Sequence, residues 1–206
     1  MMRWLVALAL CACPACALTS KAEPLTPRYF SPEQEGAPPA PAPASVPVEL
    51  RLGEVAAAAH LEERIAYRPS ESELGYYDSW RWTEPPQAYL RRALARELFE
   101  RRGLVRVVSG NAPTLNVELT SFEELRESPA RARVELSIVL RGERSALLER
   151  TLRKELPLPA DSSDEPLRLT RTLSRALDGA VSEVADLVSA RLAEPGRSAS
   201  GVPPQN

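Results

Sequence analysis

Residues 76–86 read Tyr-Tyr-Asp-Ser-Trp-Arg-Trp-Thr-Glu-Pro-Pro, and residues 87–103 continue Gln-Ala-Tyr-Leu-Arg-Arg-Ala-Leu-Ala-Arg-Glu-Leu-Phe-Glu-Arg-Arg-Gly. The first part is aromatic and strand-like. Pro85 and Pro86 then suit a first helical turn, where no N–H is needed and φ is already helical. Thr83 or Glu84 is placed to cap that start. Leu90, Ala93, Leu94 and Leu98 follow at i, i+3, i+4 and i+8, interrupted by Glu97, while Arg91, Arg92, Arg96 and Glu100 fall on the other side. Gly103 is fit to end the helix by taking the left-handed conformation. A strand, an amphipathic helix of about four to five turns and a second strand over 104–108 make a unit that the rest of the chain extends.

Upstream, Val48-Glu49-Leu50-Arg51-Leu52 alternates and predicts a first strand, with Gly53 closing it. The alanine-rich residues 55–60 suit a short helix or a turn. Ile65-Ala66-Tyr67 and residues 74–82, on either side of Pro69-Ser70-Glu71-Ser72, predict a hairpin. Downstream, residues 115–122, 132–140 and 148–156 each alternate apolar with polar side chains and predict an antiparallel meander whose last strand lies at an edge. Asp164-Glu165-Pro166 then supplies a capping acid and a first-turn proline. Leu173, Leu177, Ala180, Val181, Val184 and Val188 share one face of the helix that follows, and Pro195-Gly196 stop it. The fold class expected is α/β: a single domain over 46–194, a mixed, mainly antiparallel sheet, and two long helices packed on one face of it.

Composition limits the function. The 206 residues suffice for one sizeable core. With 26 basic and 28 acidic residues, a net charge of −2 and no long basic run, nucleic acid is not an expected partner. Eight of the 20 prolines lie between Pro24 and Pro47. Residues 33–47 have no period that could bury a face and favour extended polyproline II, so residues 13–45 read as a semi-rigid tether. Its ten to twelve extended residues, at about 3.1 Å each, would hold the domain on the order of 30–40 Å from an anchor.

The anchor is read at the other end of that tether. Arg3 and the apolar residues 4–10 make a short secretory signal, too short to span a bilayer. Cys11, Cys13 and Cys16 are the only cysteines, so the mature domain has no thiol chemistry and no disulfide framework. Lipoprotein processing needs a small residue before the cysteine and an aliphatic one at −3. Cys13, preceded by Leu10-Cys11-Ala12, meets both requirements; Cys16 is the alternative. Residues 1–12 are then the signal peptide. Neither Pro14 nor Ala17 is the aspartate that retains a bacterial lipoprotein at the inner membrane, which points to the periplasmic face of the outer membrane. The polar tail 195–206 reads as disordered.

No catalytic constellation stands out. His60 is the single histidine and lacks a second ligand of its kind, so it reads as a surface or satisfied residue rather than a metal ligand. Glu123-Glu124 and the acids of 161–165 read as solvated residues in or beside turns. There is no glycine-rich phosphate loop and no Gly-x-Ser-x-Gly elbow, and no cofactor is implied. Tyr76, Tyr77, Trp80 and Trp82, with Tyr89, gather much of the aromatic content into one stretch. Strand alternation puts Trp80 and Trp82 on one side and Tyr77 on the other, either as packing for the hairpin or as a contact site for a partner.

Ile65-Ala66-Tyr67-Arg68, Ser72-Glu73-Leu74, the Trp82-Thr83-Glu84-Pro85-Pro86 start of a leucine-rich helix and the strand 115–122 together resemble the ABC-type transport auxiliary lipoprotein family, that of the Pqi-type lipoprotein accompanying MCE-domain lipid transporters. The resemblance covers residues 46–193, with Tyr29-Phe30 echoing the family's start. It implies a non-catalytic α/β domain anchored at the outer membrane. Its implied partners are MCE-domain and other transporter subunits, with a homo-oligomer also open and lipids or other hydrophobic compounds as cargo. An outer-membrane assembly or stalk-type structural lipoprotein and a periplasmic hydrolase are the alternatives.

Overall fold

The computed structural model describes residues 25–32, 47–159 and 164–193. The expected signal peptide, Cys13 and Cys16, most of the proline-rich stretch and the tail lie outside the described residues. Eight strands form one mixed sheet: β1 (Arg28–Phe30), β2 (Glu49–Ala57), β3 (Arg64–Ser70), β4 (Glu73–Trp82), β5 (Val105–Arg106), β6 (Thr114–Leu125), β7 (Arg131–Arg141) and β8 (Ala146–Pro157). Two helices, α1 (Pro86–Ala95) and α2 (Glu165–Ala193), complete the domain.

β6 is the axis. Along one edge it pairs antiparallel with β7 over its whole length, and β7 pairs with β8 in the same sense. Its other edge is divided: Thr114 to Leu119 pair with β2, and Glu123 to Leu125 pair with β3, both in parallel. The sheet therefore forks, with β2 and β5 on one branch and β3, β4 and β1 on the other. α1 packs on β2 and β6, α2 packs on β7 and β8, and the two helices touch, so one face is covered. Leu90, Leu94 and Leu98 are fully buried there, as are Leu173 and Val184. Each such side chain contributes about 1.5–3 kcal/mol of transfer free energy.

The expected strands and helices are present, with corrections at their ends. Gly53 does not close the first strand: β2 runs through it, and its pairing with β6 shifts between Leu52 and Val55. A Cβ at Gly53 would collide with the side chains of Thr114 and Asn116, and the Asn116 Oδ1 accepts the Glu54 N–H at 2.9 Å. The glycine marks a bulge rather than an end. Residues 55–57 consequently belong to the strand, and a turn follows. The expected strand over 104–108 is two residues long.

The leucine-rich helix changes character midway. After Ala95 it continues as a π-helical turn, Arg96–Arg101, in which the Arg102 N–H reaches the Glu97 carbonyl at 3.0 Å. Gly103, at φ 67°, then ends it as expected. Neither Thr83 nor Glu84 caps the start, because Pro85 occupies the cap position without a side-chain bond. Tyr89 reaches back instead: its hydroxyl accepts the Glu84 N–H at 2.9 Å and shares a hydrogen bond with Thr83 Oγ1 at 2.7 Å.

β1 corrects the reading of the tether, since it lies inside 13–45. Arg28 to Phe30 pair in parallel with Trp80 to Trp82. Phe30 is 6% exposed, the Thr83 N–H donates to its carbonyl at 2.9 Å, and Ser174 Oγ donates to the Pro32 carbonyl at 2.9 Å. A strand of three residues, set between Pro27 and Pro32, is too short to show a period, which is why composition concealed it.

Candidate functional site

Alternation in β4 fails at its centre. Arg64 pairs with Arg81 and Ala66 with Tyr76, so the one intervening residue of β3, Ile65, stands opposite four of β4. That bulge turns Trp80 onto the Tyr77 ring, with centroids 3.6 Å apart and planes at 18°. Trp82 goes elsewhere. At 1% exposure it packs on Phe122, centroid to centroid 5.0 Å, and edge-on to Tyr89 at 6.2 Å. The two tryptophans therefore do not make the common face expected for them.

Tyr77 is nine-tenths buried and its hydroxyl donates to Glu124 Oε2. Arg126 completes the group: its Nε meets the same carboxylate oxygen at 3.3 Å, and its guanidinium lies over the Tyr67 ring at 3.6 Å and the Tyr77 ring at 4.7 Å. Burial, then the neighbouring Glu124 carboxylate, pushes the Tyr77 phenol upward, so it stays a donor at any physiological pH. On the next residue of β6, Glu123 has its own arginine, accepting from Arg68 Nε at 2.9 Å and Nη2 at 3.3 Å, and from Ser121 Oγ at 3.0 Å. Glu123 and Glu124 are thus buried strand residues rather than solvated turn acids. Each tolerates burial because its charge is paired and its lone pairs are occupied.

Tyr76 is half-buried, its hydroxyl donating to the His60 carbonyl at 3.0 Å and its ring under the Arg64 guanidinium at 4.9 Å. Of the four aromatic residues that sequence nominated, Tyr77 and Trp82 are interior. The surface open to a partner narrows to Tyr76 and Trp80. Beside it, residues 61–64 with Arg81, Pro85 and Gln87 line an open depression of about 430 Å³.

A second polar group lies at the seam of the helices. Glu97, the residue that interrupts the apolar stripe, is 7% exposed and accepts from Arg101 at 3.1 Å and Arg102 at 3.2 Å; Arg102 also reaches Asp186 and Ser182. Asp178 lines the same small cavity with Arg96 and Arg101, yet its buried Oδ2 has no hydrogen-bond partner. Burial pushes its carboxyl up to about 6, against the opposing pull of Arg96 and Arg101. Among the described residues, no cluster of three or more histidine, cysteine or acidic residues is placed to hold a metal ion.

A one-sided, forked α/β sheet carrying an aromatic–arginine hairpin defines the class. Within it, the chain belongs to the family of ABC-type transport auxiliary lipoprotein components, whose sequence model matches residues 31–185. No curated protein sequence matches the chain. Among solved structures it is similar to the protein XCC0632 from Xanthomonas campestris, of the family DUF330, at 21% identity and TM-score 0.66, over 80% of this chain and 95% of that one. A second, uncharacterized protein matches at 18% identity and TM-score 0.61, over 79% and 99%. The hypothetical protein CT253 from Chlamydia trachomatis matches at 9% identity and TM-score 0.52, over 71% and 98%. At these identities the likeness is one of fold.

Proposed function

We propose that this chain is a non-catalytic auxiliary subunit of an ABC-type transporter of lipids or other hydrophobic compounds, held by a lipid on Cys13 at the periplasmic face of the outer membrane. The family match over residues 31–185 carries this reading. The partner is an MCE-domain subunit, and the contact is made by Trp80 with Tyr76, the two hairpin aromatics that are only partly buried. An aromatic ring held by stacking has little freedom left to lose on binding, which favours it as an anchor. Affinity purification of the tagged chain from solubilised membranes should recover an MCE-domain subunit, and Trp80→Ala should diminish that recovery. Consistent absence of any transporter subunit from the purified material would overturn the assignment. Peptide mass analysis of the same sample should find an acylated N-terminal cysteine followed by Pro14.

A further inference from the structure

The sheet ends in three strands: β1 of three residues, β5 of two, and β8 of twelve. At one end of β8 the Leu158 N–H donates to the Ala130 carbonyl at 2.9 Å, and the same register continues without a shift from Arg131 opposite Pro157 to Leu140 opposite Leu148. Directly opposed residues of an antiparallel pair are hydrogen-bonded at alternate positions. The even-numbered residues of β8 therefore bond to β7, while Glu149, Thr151, Arg153 and Glu155 turn their backbone N–H and C=O groups to the open edge. Arg191 Nε takes up the Leu147 carbonyl at 2.9 Å, and beyond it nothing among the described residues bonds to those groups.

Long edges are commonly blunted by proline, a bulge or charge. Neither proline nor a bulge interrupts residues 148–156, and the charges there stand in a particular order. When β8 is set antiparallel to a second β8 about a two-fold axis at Thr151, Glu149 of each copy stands opposite Arg153 of the other, and Thr151 stands opposite itself. Opposite charges and paired threonines are favourable cross-strand neighbours. Every other centre from Glu149 to Glu155 opposes like charges: at Leu152, Glu149 meets Glu155 and Arg150 meets Lys154, and at the rest a charged residue meets itself. Glu149 is exposed and has no ion-pair partner among the described residues. Arg153 binds Glu135 through Nε at 2.6 Å, yet its side chain is 58% exposed and keeps donors for a second carboxylate. α2 packs on β7 and β8, so the same axis brings it beside its copy at about twice the strand spacing, roughly 10 Å, where helices pack.

We infer that the open edge of β8 is the interface between two copies of this chain, joined into one continuous sheet about Thr151. The inference goes beyond the transporter reading and does not depend on it.

Light scattering of the full-length protein in detergent, with the detergent mass subtracted, should give a dimer at micromolar concentration. Glu149→Arg should weaken dimerisation about tenfold or more, since two attractive pairs become repulsive. Arg153→Glu should do the same, and an equimolar mixture of the two variants should dimerise again, because each arginine then meets a glutamate. Thr151→Pro removes an outward N–H that β7 does not use, and should leave a folded monomer. Thermal midpoints are taken for every variant; should Arg153→Glu fail to fold for loss of its Glu135 bond, Glu149→Arg combined with Thr151→Pro decides the matter. A native chain that is monomeric overturns the inference, and one that dimerises only after removal of residues 195–206 assigns the edge to that tail instead. An oligomer indifferent to both Glu149→Arg and Thr151→Pro is built on another surface and overturns it too. Two folded, dissociated single variants that stay apart when mixed overturn the pairing about Thr151.

Discussion

Trp80 and Trp82 are two residues apart on one strand yet meet different kinds of neighbour. Trp82 is enclosed by carbon: Phe122, Tyr89 and the helix above. Trp80 stacks on a tyrosine whose other end is bound to a carboxylate, which is itself shared with a half-exposed arginine. One end of the hairpin is therefore held by excluded volume, the other by a chain of polar partners that reaches the surface. An aromatic stretch in a sequence can serve both purposes at once, and the bulge opposite Ile65 decides which ring does which.

The contrast can be broken at three points. Trp82→Ala should cost roughly 3–5 kcal/mol in urea unfolding, as a large cavity in a closed core does; a loss below about 1 kcal/mol would mean the ring is not enclosed. Glu124→Ala should cost about 2–3 kcal/mol, because the buried Tyr77 hydroxyl and one face of Arg126 lose their acceptor together. An unchanged midpoint would show that water replaces the carboxylate. Trp80→Ala should lower stability by only about 1 kcal/mol while weakening the proposed transporter contact by about 2 kcal/mol. If stability and binding fall together by the larger amount, the ring is core and not contact.

Asp178 sharpens the comparison from the opposite side, as a partly buried carboxylate whose Oδ2 lacks the hydrogen-bond partners that Glu124 has. Its folded pKa, about 6, lies above the unfolded value near 3.9. The native state therefore holds the extra proton between those values, and stability falls as pH rises from about 4 to about 6. Asp178 is only partly buried, and solvent screening reduces the effect to on the order of 1 kcal/mol. Asp178→Asn should be more stable than the native chain by about that amount at pH 7, with the gap closing toward pH 4. Thermal midpoints across that range read it directly, and a gap independent of pH would show that charge at Asp178 is not the cause.

What sequence made legible follows from how far a signal extends. The meander and α2 show many repeats of a period, and their faces are read from alternation or helical spacing without knowing what lies opposite. The Leu90, Ala93, Leu94, Leu98 stripe was equally plain. Glu123 and Glu124 read as turn acids in the sequence because their burial depends on Arg68 and Tyr77, which distant parts of the chain supply; only Arg126 is a near neighbour. The bulge in β4 depends on its neighbour strand in the same way. So does β1, which exists only because the edge of β4 and the side of α2 stand ready to receive three residues. Glu97 left one clue, an acid at a core position of a helix followed by two arginines: its pair with Arg101 is the one i,i+4 spacing allows, whereas Arg102, five residues on, follows the π-helical turn.

β1 also decides how a pull on the chain is shared out. While it stays seated, load arriving from the N-terminal side meets the three-residue ladder, the Phe30 side chain and the Arg28–Asp164 pair before it meets the rest of the sheet. Drawn along its length, the strand resists in shear, all contacts at once. Drawn sideways, it unpicks one bond at a time. Once released, a leash from the proposed anchor at Cys13 would run to Val48 rather than to Leu25, and its greatest length would grow from about 40 Å to about 120 Å. A force–extension trace taken across the domain should show that step of about 80 Å before any unfolding of the core. The small strand is thus a mechanical catch, set between a short reach at rest and a long one under strain.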